Sequence, residues 1–457
     1  MEIRDPIHGL VEYDDLEEAV MNSSAFQRLR RIRQLALASY VYPGALHTRF
    51  EHSIGAMHLA GRMGQQVGLA PNAVGVVRLA GLLHDVGHGP FSHVSDGPLA
   101  QLSRTYASAE GISPGKIHEC ITSDIIRLLP KSIRSLSRSV AEQVAELVDP
   151  RSGGKGKPTS DGLLGAIVSG PLDADKMDYL IRDSYFAGVK YGVFDVDRMI
   201  RALAPIEDPG HRRYLAVKEE DIHAVEQYLL AKYHITAQVY RHRVRRMTDL
   251  LLQRMVLTAI EEGVTQVRDL YSYSGPDDGF VDRYLSHDDN SLWALIASCR
   301  KALRATRLLE VVRQRHLPKC VFSQNLSDAF PPFARNTLHD GEKGSNVLKE
   351  MELSVSNKCS IDRDLVFVDL VSANLPEPTA LEPSLDVEEI NVLAGNEVKL
   401  FGTVSDFFQS NPLLKHELLC VYVPVDASTK NEARKQAARL GRIVKKILHE
   451  RLGGEKQ

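Results

Sequence analysis

Apolar residues at Val74, Val76, Val77, Leu79, Ala80, Leu82 and Leu83 crowd the stretch AVGVVRLAGLLHDVGHGPFSH, Ala73 to His93, leaving hardly any polar face. That pattern predicts a helix sunk in a core, ended by Gly87, Gly89 and Pro90. Helical spacing also marks AFQRLRRIRQLAL after the candidate caps Ser23 and Ser24, and the stretch carrying His52 and His58. It recurs in IHECITSDIIRLL, in IRSLSRSVAEQVAELV and in the segment from Gly170 to Gly188. From Glu219 to about Gly263 one long helix with little punctuation is expected. Ile3 to Asp14 reads as an extended arm turning at Pro6 and Gly9, and RSGGKGKPTSDG, Arg151 to Gly162, as a mobile surface loop. Beyond Pro318 and Pro331-Pro332, DLVFVDLV, VEEINVLAGNEVKLF and LLCVYVPV cluster β-formers and predict one small sheet. A basic amphipathic helix from Asn431 to Leu452 is expected to cover it. The fold class is therefore mostly α: a helical core over residues 1–265 and a C-terminal α+β lobe over 266–457.

Into the apolar Ala73–His93 stretch the chain delivers His84, Asp85, His88 and His93, three imidazoles and a carboxylate within ten residues. Burying such groups without partners costs on the order of 2–7 kcal/mol each when neutral and far more when charged. One buried His can simply satisfy a core hydrogen bond, but a cluster of this density points to a divalent metal. His88 is expected one turn beyond His84 on the same face. His47 and His52 are five apart and do not share a face, so at most one of them meets the site; His52 lies inside the helical pattern. Among Asp173, Asp175, Asp178 and Asp183, one carboxylate would complete a His-His-Asp-Asp set. The remaining acids can merely complement a helix dipole.

Net charge and cysteines narrow the class. A formal net charge of −3 over 457 residues gives no global drive toward nucleic acid or membrane. Arg28, Arg30, Arg31 and Arg33 read as a solvated face, with phosphate binding or a subunit contact as the alternative. The five cysteines are odd in number, widely spaced and without a CxxC pair, so neither a disulfide framework nor a thiolate zinc site is indicated. No apolar run reaches the roughly 18–20 residues of a membrane span, and the start MEIRDP lacks the features of a signal peptide. A cytoplasmic protein is expected.

Five blocks occur in one order: DPIHG at Asp5, FQRLRRIRQL at Phe26, YPGALHTRFEHSIG at Tyr42, LLHDVGHGPFSH at Leu82 and DADKMDYLIRD at Asp173. On these the chain resembles the HD-domain metal phosphohydrolases over residues 3 to 250, particularly the deoxynucleoside triphosphate triphosphohydrolases of vertebrates and bacteria. The resemblance implies one divalent ion (Mn, Fe, Mg or Zn) on His52, His84, Asp85 and Asp175, and catalytic positions at His88, His93, Asp96 and His118. His118 would be the proton donor to the leaving 5′-oxygen, Asp96 its orienting partner, and His88 and His93 phosphate contacts. It places Arg49, Lys176 and Lys232 on phosphates. Gln34, Leu35 and Tyr240 fall beside the sugar and base, Tyr179 against C2′ and Asp183 on the 3′-hydroxyl. A possible allosteric nucleotide site falls on Asn22, Gln27, Arg30 and Arg198, but Asn22 stands where a guanine-reading Asp is expected. A homo-oligomer, dimer or tetramer, is also implied. Two rivals are another HD phosphohydrolase (phosphodiesterase, nuclease or nucleotidase) and a nucleotide-sensing or single-stranded nucleic-acid-binding protein using the basic runs.

Overall fold

The computed structural model describes residues 1–151, 162–372, 390–395, 397–410 and 417–453. The loop expected over Arg151 to Gly162 falls almost wholly outside them, as do Val387 to Glu389 and Asn396 of the expected strand region. Two helix-rich compact units interleave along the chain. One comprises Met1–Tyr240, Thr265–Ser298 and Glu377–Leu413; the other comprises Arg241–Val264, Cys299–Pro376 and Leu414–Gln457. No helix among the described residues is long and apolar enough to cross a membrane.

In the first unit the extended arm is a hairpin, Glu2–Asp5 against Gly9–Glu12 in antiparallel register. The helix Arg49–Gln66 starts at a capping box in which Thr48 and Glu51 satisfy each other's backbone ends. It lies close along Pro71–Leu83: a Cβ on Gly81 would stand 2.9 Å from the Ala56 carbonyl oxygen. That second helix is shorter than its apolar run suggested. It ends at Leu83 with His84 as its C-cap, so His84 to Gly87 form a turn and His88 lies beyond any shared helix face. The helix Ala174–Ala187 is capped by Asp173, whose side chain accepts from Lys176 N, and it stops at Gly188 in the left-handed conformation.

The arginine-rich stretch departs most from expectation. Its α-helix covers only Ser24–Arg28 and continues as a 3-10 turn through Arg31. The chain then extends so that Arg49 N donates to Ile32 O (3.0 Å) and Gln34 N to His47 O (3.1 Å). Arg28 is not solvated but 1% exposed. Its guanidinium donates to the carbonyls of His287 (2.6 Å), His88 (2.9 Å) and Val86 (3.4 Å). Arg31 pairs with Asp288 at 2.5 Å. Tight packing around a charge that grips three backbone oxygens outweighs its preference for water.

The region expected as one helix from 219 to 263 is instead Ile222–Ile235, a π-turn over Thr236–Tyr240, and a separate helix Arg243–Glu261 capped by His242. Within the turn, Gln238 gives its carbonyl to the Tyr42 hydroxyl (2.8 Å). The expected single sheet is two. Lys319–Asn325, Glu417–Val423 and Phe367–Ser372 form an antiparallel three-stranded sheet in the second unit, in the order 319–325, 417–423, 367–372. The helix Lys430–Leu452 covers it through Leu440, Val444, Ile447 and Leu448. The strands Asn391–Ala394 and Glu397–Leu400 belong to the first unit, where they extend the hairpin Leu203–Glu207/Arg213–Lys218. That hairpin was not foreseen; Pro205 masks its first strand, which the sheet tolerates at an edge.

Replacing Arg28 by Met strands three carbonyl acceptors and is expected to cost about 3 kcal/mol in urea unfolding, whereas Arg30→Met, at an exposed neighbour, costs under about 1 kcal/mol.

Candidate metal centre

Four side chains from three segments meet beyond the C-terminus of the helix Pro71–Leu83. His52 Nε2 lies 3.2 Å from His84 Nε2 and 2.9 Å from Asp175 Oδ1. His84 Nε2 is 3.5 Å from that same oxygen and 3.3 Å from Asp85 Oδ1, and Asp85 Oδ2 is 3.6 Å from His52 Nε2. Separations near 3 Å are those between ligands around a cation with bonds of about 2.1 Å.

The outer nitrogens show which protons the imidazoles carry. His84 Nδ1 donates to the Gly81 carbonyl at 2.8 Å, and a carbonyl only accepts. His52 Nδ1 faces Asp178 Oδ2 at 2.8 Å. Asp178 is kept ionised: burial raises its pKa, but the Arg182 guanidinium and bonds from His52 and His8 take it well below the carboxylate range. With Nδ1 committed outward on each ring, both Nε2 atoms converge on one point, where a divalent cation would replace any Nε2 proton and meet a donor set of two imidazoles and two carboxylates.

A second layer fixes this set. His8, from the turn of the N-terminal hairpin, reaches Asp178 Oδ1 at 2.6 Å. Arg182 grips Asp178 with two bonds (2.7 and 2.9 Å) and Asp5 with a third (2.8 Å). Gly55 makes room for the carboxylate, since a Cβ there would collide with Asp178 Oδ1 and Arg182 Nη2.

Beside the donor set stands a cluster of imidazoles. His93 Nδ1 is 2.9 Å from Asp96 Oδ2, and His118 Nδ1 faces Asp96 Oδ1 at 3.1 Å. The rings of His88 and His118 stack with centroids 4.2 Å apart. Burial drags the His118 pKa down, but the Asp96 carboxylate, helped by Glu119, more than reverses this and leaves it raised. For His88, burial and the Arg49 charge prevail and hold the ring neutral. Its Nε2 is 3.2 Å from Asp85 Oδ1, which leaves buried Nδ1 without a partner. Arg49, itself 2% exposed, gives Nε to Ser92 Oγ (2.7 Å) and Nη1 to Asp85, and its Nη2 is buried without a partner.

The helix Ala174–Ala187 carries Asp175, Tyr179 and Asp183 four residues apart, hence along one face. The Tyr179 hydroxyl is buried without a partner, and its ring lies edge-on to Tyr240 at 6.2 Å. Tyr240 donates to Asp183 Oδ2 (2.5 Å), and His47 Nε2 meets Asp183 Oδ1 (2.7 Å). Gln34 Oε1 is likewise buried and unsatisfied, and Leu35 beside it is buried.

Other expected site residues sit differently. The Lys176 ammonium lies on Asp173 (2.6 Å) and Gly170 O (3.0 Å) at the start of its helix, and Lys232 is buried. Asn22 is exposed at the end of the helix Asp15–Met21. Gln27 bonds Met21 O (2.8 Å) and accepts from Arg30 (3.0 Å), while Arg198 pairs with Asp221. No role falls to His8 from the sequence, and spacing from His52 sets His47 aside. The DPIHG and HTRFEH blocks that contain them were the available signal.

Comparison with known proteins matches residues 49–179 to the HD domain and residues 194–446 to the HD associated region. The chain is 33% identical over 291 residues to the uncharacterized protein MJ1154 of Methanocaldococcus jannaschii, covering 64% of this chain and 56% of that one. It is 30% identical over 345 residues to human deoxynucleoside triphosphate triphosphohydrolase SAMHD1, covering 70% and 54%. The match thus spans little more than half the length of these relatives. The solved phosphohydrolase BT4208 of Bacteroides thetaiotaomicron superposes with a TM-score of 0.69 at 25% identity, covering 93% of this chain and 99% of that chain.

In chelator-treated protein His52 shares protons with its carboxylates. Burial opposes this, but Asp175, Asp178 and Asp85 push its pKa up to about 10. Calorimetric titration of Mn²⁺ is therefore expected to show proton release near pH 7 and an affinity that rises with pH. Asp178→Asn and Gly55→Ala, which spare all four donors, should weaken binding about 10–100-fold, and His84→Ala should abolish it.

Proposed function

Because the chain belongs to the HD-domain phosphohydrolase family with its HD associated region, we propose that it hydrolyses deoxynucleoside triphosphates to deoxynucleoside and triphosphate. The observation that carries the reading is the shared face of Asp175, Tyr179 and Asp183. A metal ligand, an unpartnered buried phenol and a carboxylate follow one another there, with Tyr240 and His47 against the last. A plain phosphoesterase centre needs only the first of these. The identity to a named deoxynucleoside triphosphate triphosphohydrolase supports the same reading.

His52, His84, Asp85 and Asp175 would hold a divalent cation, which when bound would supply positive charge against a phosphoryl oxygen and lower the pKa of a nearby water. The chain's own groups do the rest. Arg49, with two of its nitrogens held by Ser92 and Asp85, keeps Nη2 free for a phosphate oxygen. Asp96 holds Nδ1 of His118 and favours the imidazolium, so Nε2 can give its proton to the leaving 5′-oxygen. His93 is held by the other oxygen of Asp96, which keeps that carboxylate from turning away. Neutral His88 offers Nδ1 as an acceptor for a water or a protonated phosphate oxygen. The Tyr179 ring crowds the sugar at C2′ and selects against a ribose hydroxyl. The substrate is thus a deoxynucleotide rather than an oligonucleotide or a cyclic phosphodiester.

Product chromatography after incubation with each dNTP, with the matching ribonucleotides and with a cyclic nucleotide, in Mn²⁺ or Mg²⁺, tests this. Deoxynucleoside plus triphosphate is expected, and is expected to vanish in His84→Ala and Asp85→Ala. Turnover of another phosphate ester with silence on all dNTPs would overturn the reading. The imidazolium of His118 sets the alkaline limb: kcat should fall as pH rises through a pKa above 6.5. Asp96→Asn removes the charge that raises it and should move that limb to lower pH, while His118→Gln should cut kcat by about 10²–10⁴.

A further inference from the structure

We propose that His47 is a positioning residue for substrate recognition, holding Asp183 in place as the acceptor of the sugar 3′-hydroxyl. This rests on the deoxynucleotide reading above and names what enforces it at the sugar end.

His47 lies just before the cap of the helix Arg49–Gln66 and is 4% exposed. Its Nε2 is 2.7 Å from Asp183 Oδ1, and an ionised carboxylate can only accept, so Nε2 carries the hydrogen. The ring is fixed from its face as well: it stacks on Phe186, with centroids 4.7 Å and planes 15° apart. Phe186 stands three residues beyond Asp183 on the same helix, so one element supplies both the carboxylate and the surface that orients its partner. The His47 carbonyl also receives Gln34 N, so the segment bearing Gln34 and Leu35 is registered to the same residue.

Asp183 is 2% exposed and receives two donors, His47 on Oδ1 and Tyr240 on Oδ2. A carboxylate has about four lone-pair sites, so each oxygen keeps one, room enough for the hydrogen of a sugar hydroxyl. Along the helix, Asp183 is about 12 Å from Asp175, a span that a nucleotide's reach from phosphate to 3′-hydroxyl fills when the metal contact at one end and the hydrogen bond at the other are included. Without His47 the carboxylate is held, among the described residues, through Tyr240 alone and turns about its side-chain bonds. The hydroxyl contact then loosens while the metal and imidazole groups stay where they are.

The test compares kcat and KM on a dNTP and on the matching 2′,3′-dideoxynucleotide for the wild type, His47→Leu and His47→Gln. The wild type is expected to prefer the 3′-hydroxyl substrate. His47→Leu should raise KM for the dNTP about tenfold with a smaller change in kcat, and bring the preference over the dideoxy compound toward one. His47→Gln, whose amide nitrogen reaches where Nε2 stood, should recover most of the preference. An unchanged preference in His47→Leu, or a glutamine variant no better than the leucine one, would overturn the role of His47 alone. If the wild type turns over other phosphate esters but neither nucleotide, the deoxynucleotide reading fails and this inference with it.

Discussion

His52 Nε2 and His84 Nε2 stand 3.2 Å apart among carboxylates, and the architecture around the two rings holds them there. Each ring is fixed by giving its Nδ1 hydrogen to an acceptor that cannot return one, the Gly81 carbonyl for His84 and the Asp178 carboxylate for His52. Asp178 has no exposure and must itself be balanced. Arg182, equally buried, does so with two bonds and passes its remaining charge to Asp5. Such a buried ionic chain adds little net stability over an apolar core, but removing one member leaves a bare charge, at about 3–5 kcal/mol. The chain therefore makes alternative arrangements of the two rings expensive. Its hairpin members, Asp5 and His8, tie the first residues of the sequence to a site whose ligands come much later.

The loop after Asp85 is held by a different device. Phe91 and Ser92 both adopt left-handed backbone angles, φ 60° and 59°, at roughly 1–2 kcal/mol each for such residues. Three contacts hold them. Phe91 N donates to Asp289 Oδ1 (2.6 Å), the Phe91 ring meets Trp293 edge-on at 5.3 Å, and Ser92 Oγ bridges Arg49 and the Arg33 carbonyl. Arg28 grips the carbonyls of Val86 and His88 from the other side. The strain buys direction: by turning sharply at Phe91, the chain returns His93 and Asp96 toward His88 instead of carrying them away.

Much of this was legible in the sequence, and the lapses share a cause. The dense His and Asp placement in an apolar setting and the helical spacing of the stretch carrying His52 and of the segment from Gly170 to Gly188 are local patterns, and local patterns survive into the fold. Arg28 misled because four arginines among apolar residues read as a water-facing stripe. Only the carbonyls of His287, Val86 and His88, distant in sequence, give one of them a buried home. The break at Thr236–Tyr240 failed for a similar reason: no Gly or Pro marks it, and the groups engaged there, Tyr42 and Asp183, lie elsewhere in the chain. Strands Asn391–Ala394 and Glu397–Leu400 look no different from those of the C-terminal sheet, and only pairing with Arg213–Lys218 assigns them. His47 was set aside because five residues from His52 is the wrong spacing for one helix face. Spacing along one helix says nothing of a carboxylate on another, and His47 meets Asp183 across the fold.

That division of labour follows from helix geometry. Asp175 and Asp183 are eight residues apart on a helix whose rise per residue is set by its hydrogen bonds, so the distance between the two carboxylates along it cannot drift. Opposite, the residues before the helix Arg49–Gln66 repeat the arrangement. His47 meets Asp183, whereas Arg49 and His52, on the first turns, meet Asp85 and Asp175. Two helices thus face each other with matched ends, which the proposed reaction would use for the phosphates and for the sugar hydroxyl. A molecule that reaches only one end forfeits the contacts at the other, and a molecule of the wrong length cannot meet both. Selection by length comes from the same contacts that hold the reacting group still, so in the proposed reaction recognition of the sugar and placement of the phosphate are one physical event rather than two.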